Sequence, residues 1–132
     1  MSTPKRILSA LLLAAVLLPF SVYALTEGNY TYTVSDGQAT ITGFRISYSV
    51  SLSIPSSLGG YPVTAIGNSA FYNCYRLTYV TIPDSVTSIG NSAFSGCTKL
   101  KSVTIGNSVT SIGNSAFRDC DSLTAINVSG NN

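Results

Sequence analysis

One segment of this chain occurs twice, at residues 82–94 and again at residues 105–117, with almost no change. The two copies share eleven of their thirteen positions. They differ only where Pro83 and Asp84 are replaced by Gly106 and Asn107. A fixed period in the twenties, with apolar residues at constant phase, is typical of chains that stack as successive coils and not of closed globules.

The large apolar residues keep this period through the second half of the chain. Residues at one phase of a stacked coil occupy the same place in every coil, so each in-phase set predicts a continuous column of core side chains. The sets are Ile66, Ile89 and Ile112; Phe71, Phe94 and Phe117; Leu77, Leu100 and Leu123; Val80, Val103 and Ile126; and Ile82, Ile105 and Val128.

One repeat unit predicts a strand, a second extended piece and a corner. Residues 77–82 alternate so that Leu77, Val80 and Ile82 point inward, and Pro83 ends the strand because it lacks an N–H. A second extended piece passes through Val86 and Ile89. Gly90 then permits a sharp corner, after which Asn91 or Ser92 is expected to cap a single helical turn.

The region before the repeats predicts an N-terminal β cap and first strand at residues 25–62. Residues 30–34 and 39–44 favour strand, and Asp36-Gly37 between them has the chemistry of a tight hairpin turn. From Phe44 to Ile54 apolar residues alternate with Arg45 and serines, which predicts a strand with one buried face. The repeats then occupy residues 63–132, the last of them incomplete.

The N-terminal segment, residues 1–24, has the layout of a secretory signal peptide. Lys5 and Arg6 precede an apolar run over residues 7–18, and the segment ends in the small residue Ala24. The run is shorter than the roughly 20 residues that a spanning helix needs. We therefore expect export, a mature chain that begins at Leu25, a secreted or cell-surface location and no membrane insertion after the leader is removed.

The mature chain has balanced charge. Of the seven Lys and Arg residues, Lys5 and Arg6 lie in the leader, so five bases remain against the five acids. A neutral surface rich in Ser, Thr and Asn does not release counterions from nucleic acid, and it lacks the basic cluster that binds an anionic membrane. We expect neither partner.

The three cysteines share one phase of the repeat. Cys74, Cys97 and Cys120 follow one another at the repeat period, which predicts a column inside the stack. An odd number cannot fully pair, so the favoured interpretation is a ladder of buried thiols that pack as small apolar residues. A disulfide between neighbouring coils and a free thiol for intermolecular pairing are the alternatives.

The repeat pattern resembles a known family. The spacing Leu-x-x-Val-x-Ile-Pro-x-Ser-Val-x-x-Ile-Gly-x-x-Ala-Phe-x-x-Cys, at residues 77–97 and again at 100–120 with Gly106 in the Pro position, is similar to the BspA-like class of leucine-rich repeats. We therefore expect a right-handed, mainly β solenoid of leucine-rich-repeat type with short helical turns and an N-terminal β-hairpin cap. The resemblance implies a secreted or surface protein that adheres to host or matrix proteins or to other cells.

The residue types needed for catalysis are scarce. The chain contains no His, which is the commonest general base and metal ligand. Asp119 and Asp121 are the only carboxylates close in sequence, and a solvated loop explains them better than a cation site. The serines lack a partner base. We expect no enzymatic activity, no catalytic residue, no metal and no cofactor.

The remaining class of function is binding of a protein partner by the surface that the repeats form. The outward positions of the strands predict a wall that includes Tyr79, Thr81, Lys101, Thr104 and Asn127. The expected helical-turn side of the coil varies more between copies, and its residues Tyr72, Tyr75 and Arg76 are either a recognition patch or ordinary solvent-facing decoration.

Three functions are compatible with these features. The first is an adhesin-like binding module, and the second is a structural module that self-associates through the uncapped C-terminal repeat at residues 123–128. The third is an accessory domain of a separate catalytic chain.

Overall fold

The computed structural model of the chain describes residues 22–46, 48 and 50–130. These residues form a β-solenoid of about four turns whose coils contribute strands to two sheets. Most of the expected signal peptide, residues 1–21, lies outside the described part. The strands are β1 Leu25–Glu27, β2 Tyr30–Ser35, β3 Gln38–Phe44, β4 Val50–Ser53, β5 Ser57–Leu58, β6 Tyr61–Ile66, β7 Leu77–Thr81, β8 Ser88–Ile89, β9 Ser102–Ile105, β10 Ser111–Ile112 and β11 Ala125–Val128.

The first sheet has four parallel strands in the order β11-β9-β7-β4. Between β7 and β9 the partners are Tyr79 with Ser102 and Thr81 with Thr104, so the pairing is offset by one repeat. The columns predicted from the repeat period are therefore confirmed in register. Because every strand in this sheet runs the same way, each coil repeats the path of the coil before it.

The second sheet has seven strands and includes the N-terminal hairpin. Its order is β1-β2-β3-β6-β8-β10, and β5 pairs with β6. Strands β2 and β3 are antiparallel, and both Asp36 and Gly37 between them have positive φ, as a two-residue hairpin of this type requires. The predicted hairpin is thus present, whereas its role as a cap of the core stays a prediction.

The expected helical turns are absent. Residues 69–77 form successive tight turns, and residues 22–46, 48 and 50–130 contain no helix. Ser69 and Asn73 have positive φ, which a right-handed helix does not allow. Their N–H groups donate to the next coil instead, to the carbonyls of Asn91 and Ser95 at 2.9 and 2.8 Å.

Side chains join the coils at the same corners. The Oδ1 atom of Asn68 accepts the N–H of Asn91 at 2.8 Å, and the Oδ1 atom of Asn91 accepts the N–H of Asn114 at 2.8 Å. Asn91 therefore does not cap its own turn, as the sequence suggested, but binds its two neighbours in the stack. Each such hydrogen bond contributes about 1 kcal/mol.

The core lies between the two sheets and the turn segments. Its central feature is a stack of aromatic rings: Phe44, Phe71, Phe94 and Phe117 follow one another with centroid distances of 5.2, 4.8 and 5.4 Å. Tyr30 of the hairpin continues the stack at 4.9 Å from Phe44. The aromatic column joins the hairpin and the repeats into one core.

The alternating run from Phe44 to Ile54 is not one strand. Strand β3 ends at Phe44 and β4 begins at Val50, and Tyr48 between them is 63% exposed. The chain passes here from one sheet to the other, so it has no single partner strand along the run. The alternating run therefore covers the end of β3, a connecting segment and β4.

Candidate protein-binding surface

The outward face of the four-stranded sheet carries the predicted wall. One column contains Tyr79, Ser102 and Ala125, and the next contains Thr81, Thr104 and Asn127. Tyr79, Thr81 and Asn127 are exposed, and Thr104 is partly buried. Lys101 is also exposed, and its N–H donates to the carbonyl of Thr78 at 2.7 Å.

Strand β4 extends this wall by one coil that sequence reasoning missed. Ser51 pairs with Tyr79 and Ser53 pairs with Thr81, and both serines are exposed. They lie further from these partners along the chain than one repeat period, because the first coil contains a longer turn. A search at the fixed period therefore could not find them, although the alternating serines were a usable signal.

The turn segment before β7 holds the other predicted residues. Tyr72 and Tyr75 are 55% and 51% exposed, and the guanidinium of Arg76 lies 5.5 Å from the centre of the Tyr75 ring. A cation over an aromatic face at this distance is an attractive contact, worth about 0.5–1 kcal/mol at an exposed site. Tyr75 and Arg76 therefore form one unit, and Tyr79 follows them on β7.

Tyr48 precedes β4 by two residues, and β4 pairs with β7 in the neighbouring coil. The N–H of Val50 donates to the carbonyl of Arg76 at 3.1 Å, and the hydroxyl of Thr78 donates to the carbonyl of Val50 at 3.0 Å. These contacts bring the segment that carries Tyr48 to the start of β7. Sequence reasoning had placed Tyr48 on a buried strand face and so did not count it as surface.

A shallow cleft lies beside Tyr48. It has a volume of about 140 Å³ and is lined mainly by apolar side chains. Burial raises the pKa of Tyr30 in its wall to about 12. The lining residues are Asn29, Tyr30, Phe44, Ile46, Tyr48, Val50 and Leu52.

The cysteine column lies inside and adds no chemistry to this surface. All three cysteines are free, with Cys74 and Cys97 buried and Cys120 partly buried. The thiols of Cys97 and Cys120 donate to the carbonyls of Phe71 and Phe94 at 3.2 and 3.1 Å. The predicted ladder of thiols is confirmed, and the disulfide alternative is contradicted.

The environment of the column keeps two thiols protonated. Burial raises the pKa of Cys74 to about 11. The neighbouring Cys120 thiol, together with burial, raises the pKa of Cys97, and the contact with Cys97 lowers the pKa of Cys120. Cys74 and Cys97 therefore act as packing groups and not as nucleophiles.

The arrangement offers contact area and charge but no cluster for metal binding. Within the described ranges, no group of three or more Cys, Asp or Glu side chains is placed to hold a metal ion. Asp119 lies beside Arg118, with 3.6 Å between the nearest charged atoms, and both side chains are largely exposed. The surface can bind a partner through tyrosines, hydroxyls and bases.

Comparison with known proteins identifies the family. The family model for the BspA-type leucine-rich repeat region matches residues 44–132 with six copies. The chain therefore belongs to the BspA-type leucine-rich-repeat family, as its repeat pattern indicated. No curated protein sequence matches the chain.

Solved structures of similar fold are leucine-rich-repeat proteins. A leucine-rich cell surface protein from Faecalibacterium prausnitzii is 41% identical, with a TM-score of 0.70 over 83% of this chain and 32% of that one. A leucine-rich-repeat protein from Bacteroides capillosus is 31% identical, with a TM-score of 0.62 over 81% of this chain and 99% of that one. This chain thus spans about a third of the F. prausnitzii protein.

A more distant similarity is consistent with the same fold. The leucine-rich-repeat protein of T. pallidum is 26% identical, with a TM-score of 0.53 over 79% of this chain and 71% of that one.

For residues 22–46, 48 and 50–130, no helix has the length and apolar character needed to cross a bilayer.

Proposed function

We propose that this chain is a secreted or cell-surface binding module that adheres to a protein partner through the wall and the adjoining tyrosines. The observation that carries the proposal is the departure from the repeat at the surface. Tyr72, Tyr75 and Tyr79 are about half exposed, whereas the equivalent residues one coil later are Ser95, Thr98 and Ser102. Core packing does not require these tyrosines, and tyrosine is a favoured anchor in protein interfaces.

The surface predicts modest affinity. Apart from Tyr79 and Lys101, the wall consists of small polar side chains, which supply hydrogen bonds but few anchors. Ordering of Arg76 against Tyr75 lowers the entropy cost of binding at this point. We expect dissociation constants in the micromolar range, at about −8 kcal/mol.

Export is supported by the position of the first strand. Val22 and Tyr23 are 64% and 45% exposed and precede β1, which begins at Leu25. A peptide bond in such an exposed segment is accessible to a protease. Cleavage after Ala24 would leave the sheet intact, and Leu25 packs against the core.

The test is a binding screen with matched variants. Immobilised chain is exposed to purified extracellular-matrix and cell-surface proteins, and dissociation constants are measured by biolayer interferometry. Combined Tyr75→Ala and Tyr79→Ala substitutions are expected to weaken the strongest interaction at least about tenfold, because both side chains are hot-spot types. Thr42→Ala with Ser111→Ala, exposed positions on the other sheet, is the control. Equal loss in both variants, or no loss in either, would contradict the proposal.

Self-association is the second candidate, and it rests on a different surface. Ile112, Ile126 and Val128 in the last coil are 50%, 50% and 51% exposed. Such apolar groups beside the edge strand β11 can pair with another copy. If they do, the mass measured by light scattering climbs with concentration, and Ile126→Lys abolishes the increase. A mass that stays monomeric would exclude this candidate.

A further inference from the structure

Most bases of the described chain have no ion-pair partner among the described residues. Four of the five, Arg45, Arg76, Lys99 and Lys101, lie in the coils that precede the last one. The fifth base, Arg118, lies beside Asp119 at 3.6 Å, and this is the only ion pair within the described residues. The first four therefore lack a carboxylate partner in the part of the chain that the structure describes.

Coil stacking brings three of these bases together. Arg76 and Lys99 occupy the same position in successive coils. The N–H of the residue that follows each one donates to an equivalent turn carbonyl: Leu77 to Cys74 at 3.1 Å and Leu100 to Cys97 at 3.0 Å. Successive coils are about 4.8 Å apart. This spacing separates the backbones of neighbouring coils. Lys101 follows two residues later. Like charges on adjacent strands repel, so binding of an anion relieves this repulsion.

Three of the five acids lie away from these bases. Glu27 accepts the N–H of Gly59 at 2.7 Å, Asp84 accepts the N–H of Asn107 at 2.9 Å, and Asp36 lies in the hairpin turn. Asp121 follows Thr98 by one repeat and so lies in the coil next to Lys99. No ion pair joins Asp121 to Lys99 within the described residues. Arg76, Lys99 and Lys101 are therefore available to an external anion.

Exposed aromatic rings lie in the same coils as Arg45 and Arg76, and the Arg76 guanidinium is 5.5 Å from the centre of the Tyr75 ring. Tyr48, Tyr72, Tyr75 and Tyr79 are between 46% and 63% exposed. The rings of Phe44 and Phe71 lie 5.2 Å apart in neighbouring coils. Arg45 directly follows Phe44, and Tyr72 directly follows Phe71. We call this surface the basic strip. It comprises Arg45, Tyr48, Tyr72, Tyr75, Arg76, Tyr79, Lys99 and Lys101.

We infer that the basic strip binds an acidic segment of the partner protein, one in which Asp or Glu alternates with apolar side chains. This inference rests on the proposed function and specifies the chemistry of its partner. Carboxylates pair with Arg76, Lys99 and Lys101, and the intervening apolar side chains pack on the tyrosine rings. Four bases are few for a polyanion that binds by counterion release, whereas four tyrosines supply the apolar contact that a peptide needs.

The test uses two matched peptides as probes. One is a short synthetic peptide in which Glu alternates with Leu, and the other has Gln in place of every Glu. Binding to the chain is followed by NMR titration. The acidic peptide is expected to bind about tenfold more tightly, because each exposed charge pair contributes modestly and several pairs add. Physiological salt is expected to reduce the difference relative to low salt.

Variants locate the effect. Arg76→Gln with Lys99→Gln is expected to reduce the advantage of the acidic peptide over the Gln peptide from about tenfold to about twofold, because Lys101 remains. The control is Thr42→Glu with Ser111→Glu, which changes the net charge by the same amount on the other sheet. We expect that control to leave the affinity unchanged. Equal loss in both pairs would mean that only net charge matters, which contradicts a local site.

The remaining outcomes separate this inference from the proposed function. Equal binding of both peptides, lost with Tyr75→Ala and Tyr79→Ala, would overturn the acidic chemistry and leave protein binding in place. Tighter binding of heparin than of the acidic peptide, lost with Arg76→Gln and Lys99→Gln, would replace the protein segment by a polysaccharide. Failure of the acidic peptide to bind would refute the inference, while the protein screen decides the function independently.

Discussion

Replacing Phe94 with alanine is expected to lower the free energy of unfolding by about 3–5 kcal/mol. Phe94 is fully buried, and its ring stacks on Phe71 at 4.8 Å and on Phe117 at 5.4 Å. The substitution removes both contacts and leaves a cavity between two coils that cannot close without breaking their backbone hydrogen bonds. Urea denaturation followed by circular dichroism measures the loss.

Phe117→Ala is the matched control for this prediction. Phe117 has the same phase but is only partly buried, and its ring stacks on one neighbour, Phe94. We expect a clearly smaller loss of stability. Because about 3–5 kcal/mol is a large share of the stability of a small domain, Phe94→Leu provides a milder variant that remains folded. Equal losses for Phe94→Ala and Phe117→Ala would show that stacking from both sides contributes nothing.

Gly90→Ala is expected to destabilise the chain by about 1–3 kcal/mol through crowding between coils. A Cβ atom at this position would lie 2.6 Å from the backbone nitrogen of Asn68 and 2.7 Å from the carbonyl carbon of Gly67. Both contacts are with backbone, so relief requires the coils to separate. Separation also weakens the hydrogen bond from the Gly90 N–H to the Ile66 carbonyl, now 2.8 Å. Thermal unfolding gives the loss.

Gly43→Ala tests whether space is the cause. The nearest atom to a Cβ at Gly43 is the Thr31 Cβ at 3.6 Å, an ordinary van der Waals distance, and the φ of Gly43 is not positive. We expect a change within about 0.5 kcal/mol. If Gly90→Ala is as mild as Gly43→Ala, the coils can move apart freely and the close stacking has no energetic importance.

The columns of the solenoid could be predicted because they depend on the period alone. Tyr79, Ser102 and Ala125 align wherever successive strands pair in parallel with an offset of one repeat, and no knowledge of side-chain packing is needed. The same period predicted the cysteine column. It could not predict Ser51 and Ser53, since the longer first turn changes the offset.

The turn segments were predicted incorrectly as helical turns, because their N–H groups bond to the neighbouring coil and not within their own segment. Asn91 and Ser92 before Ala93 and Phe94 have the pattern of a helix start. In the stack, however, Ser92 has positive φ and its N–H donates to the Asn114 carbonyl at 2.9 Å. A neighbouring coil supplies the hydrogen-bond partner that a helix would supply within one segment. Propensity within a single repeat does not contain that information.

Gly90 shows the same limit in another form. The sequence indicated a glycine needed for conformational freedom, yet Gly90 is not among the residues with positive φ. It is needed because Gly67 and Asn68 of the preceding coil lie too close for a side chain. Tyr48 was missed for a related reason, since only the three-dimensional path brings its segment beside Arg76.

Amide hydrogen exchange with and without the partner found by the screen tests the binding surface most directly. If the basic strip is the binding surface, exchange slows at residues 45–46, 72–79 and 98–102 and is unchanged in β8 and β10 of the other sheet. Slower exchange confined to β8 and β10, or spread evenly over the solenoid, would contradict the assignment of binding to this surface.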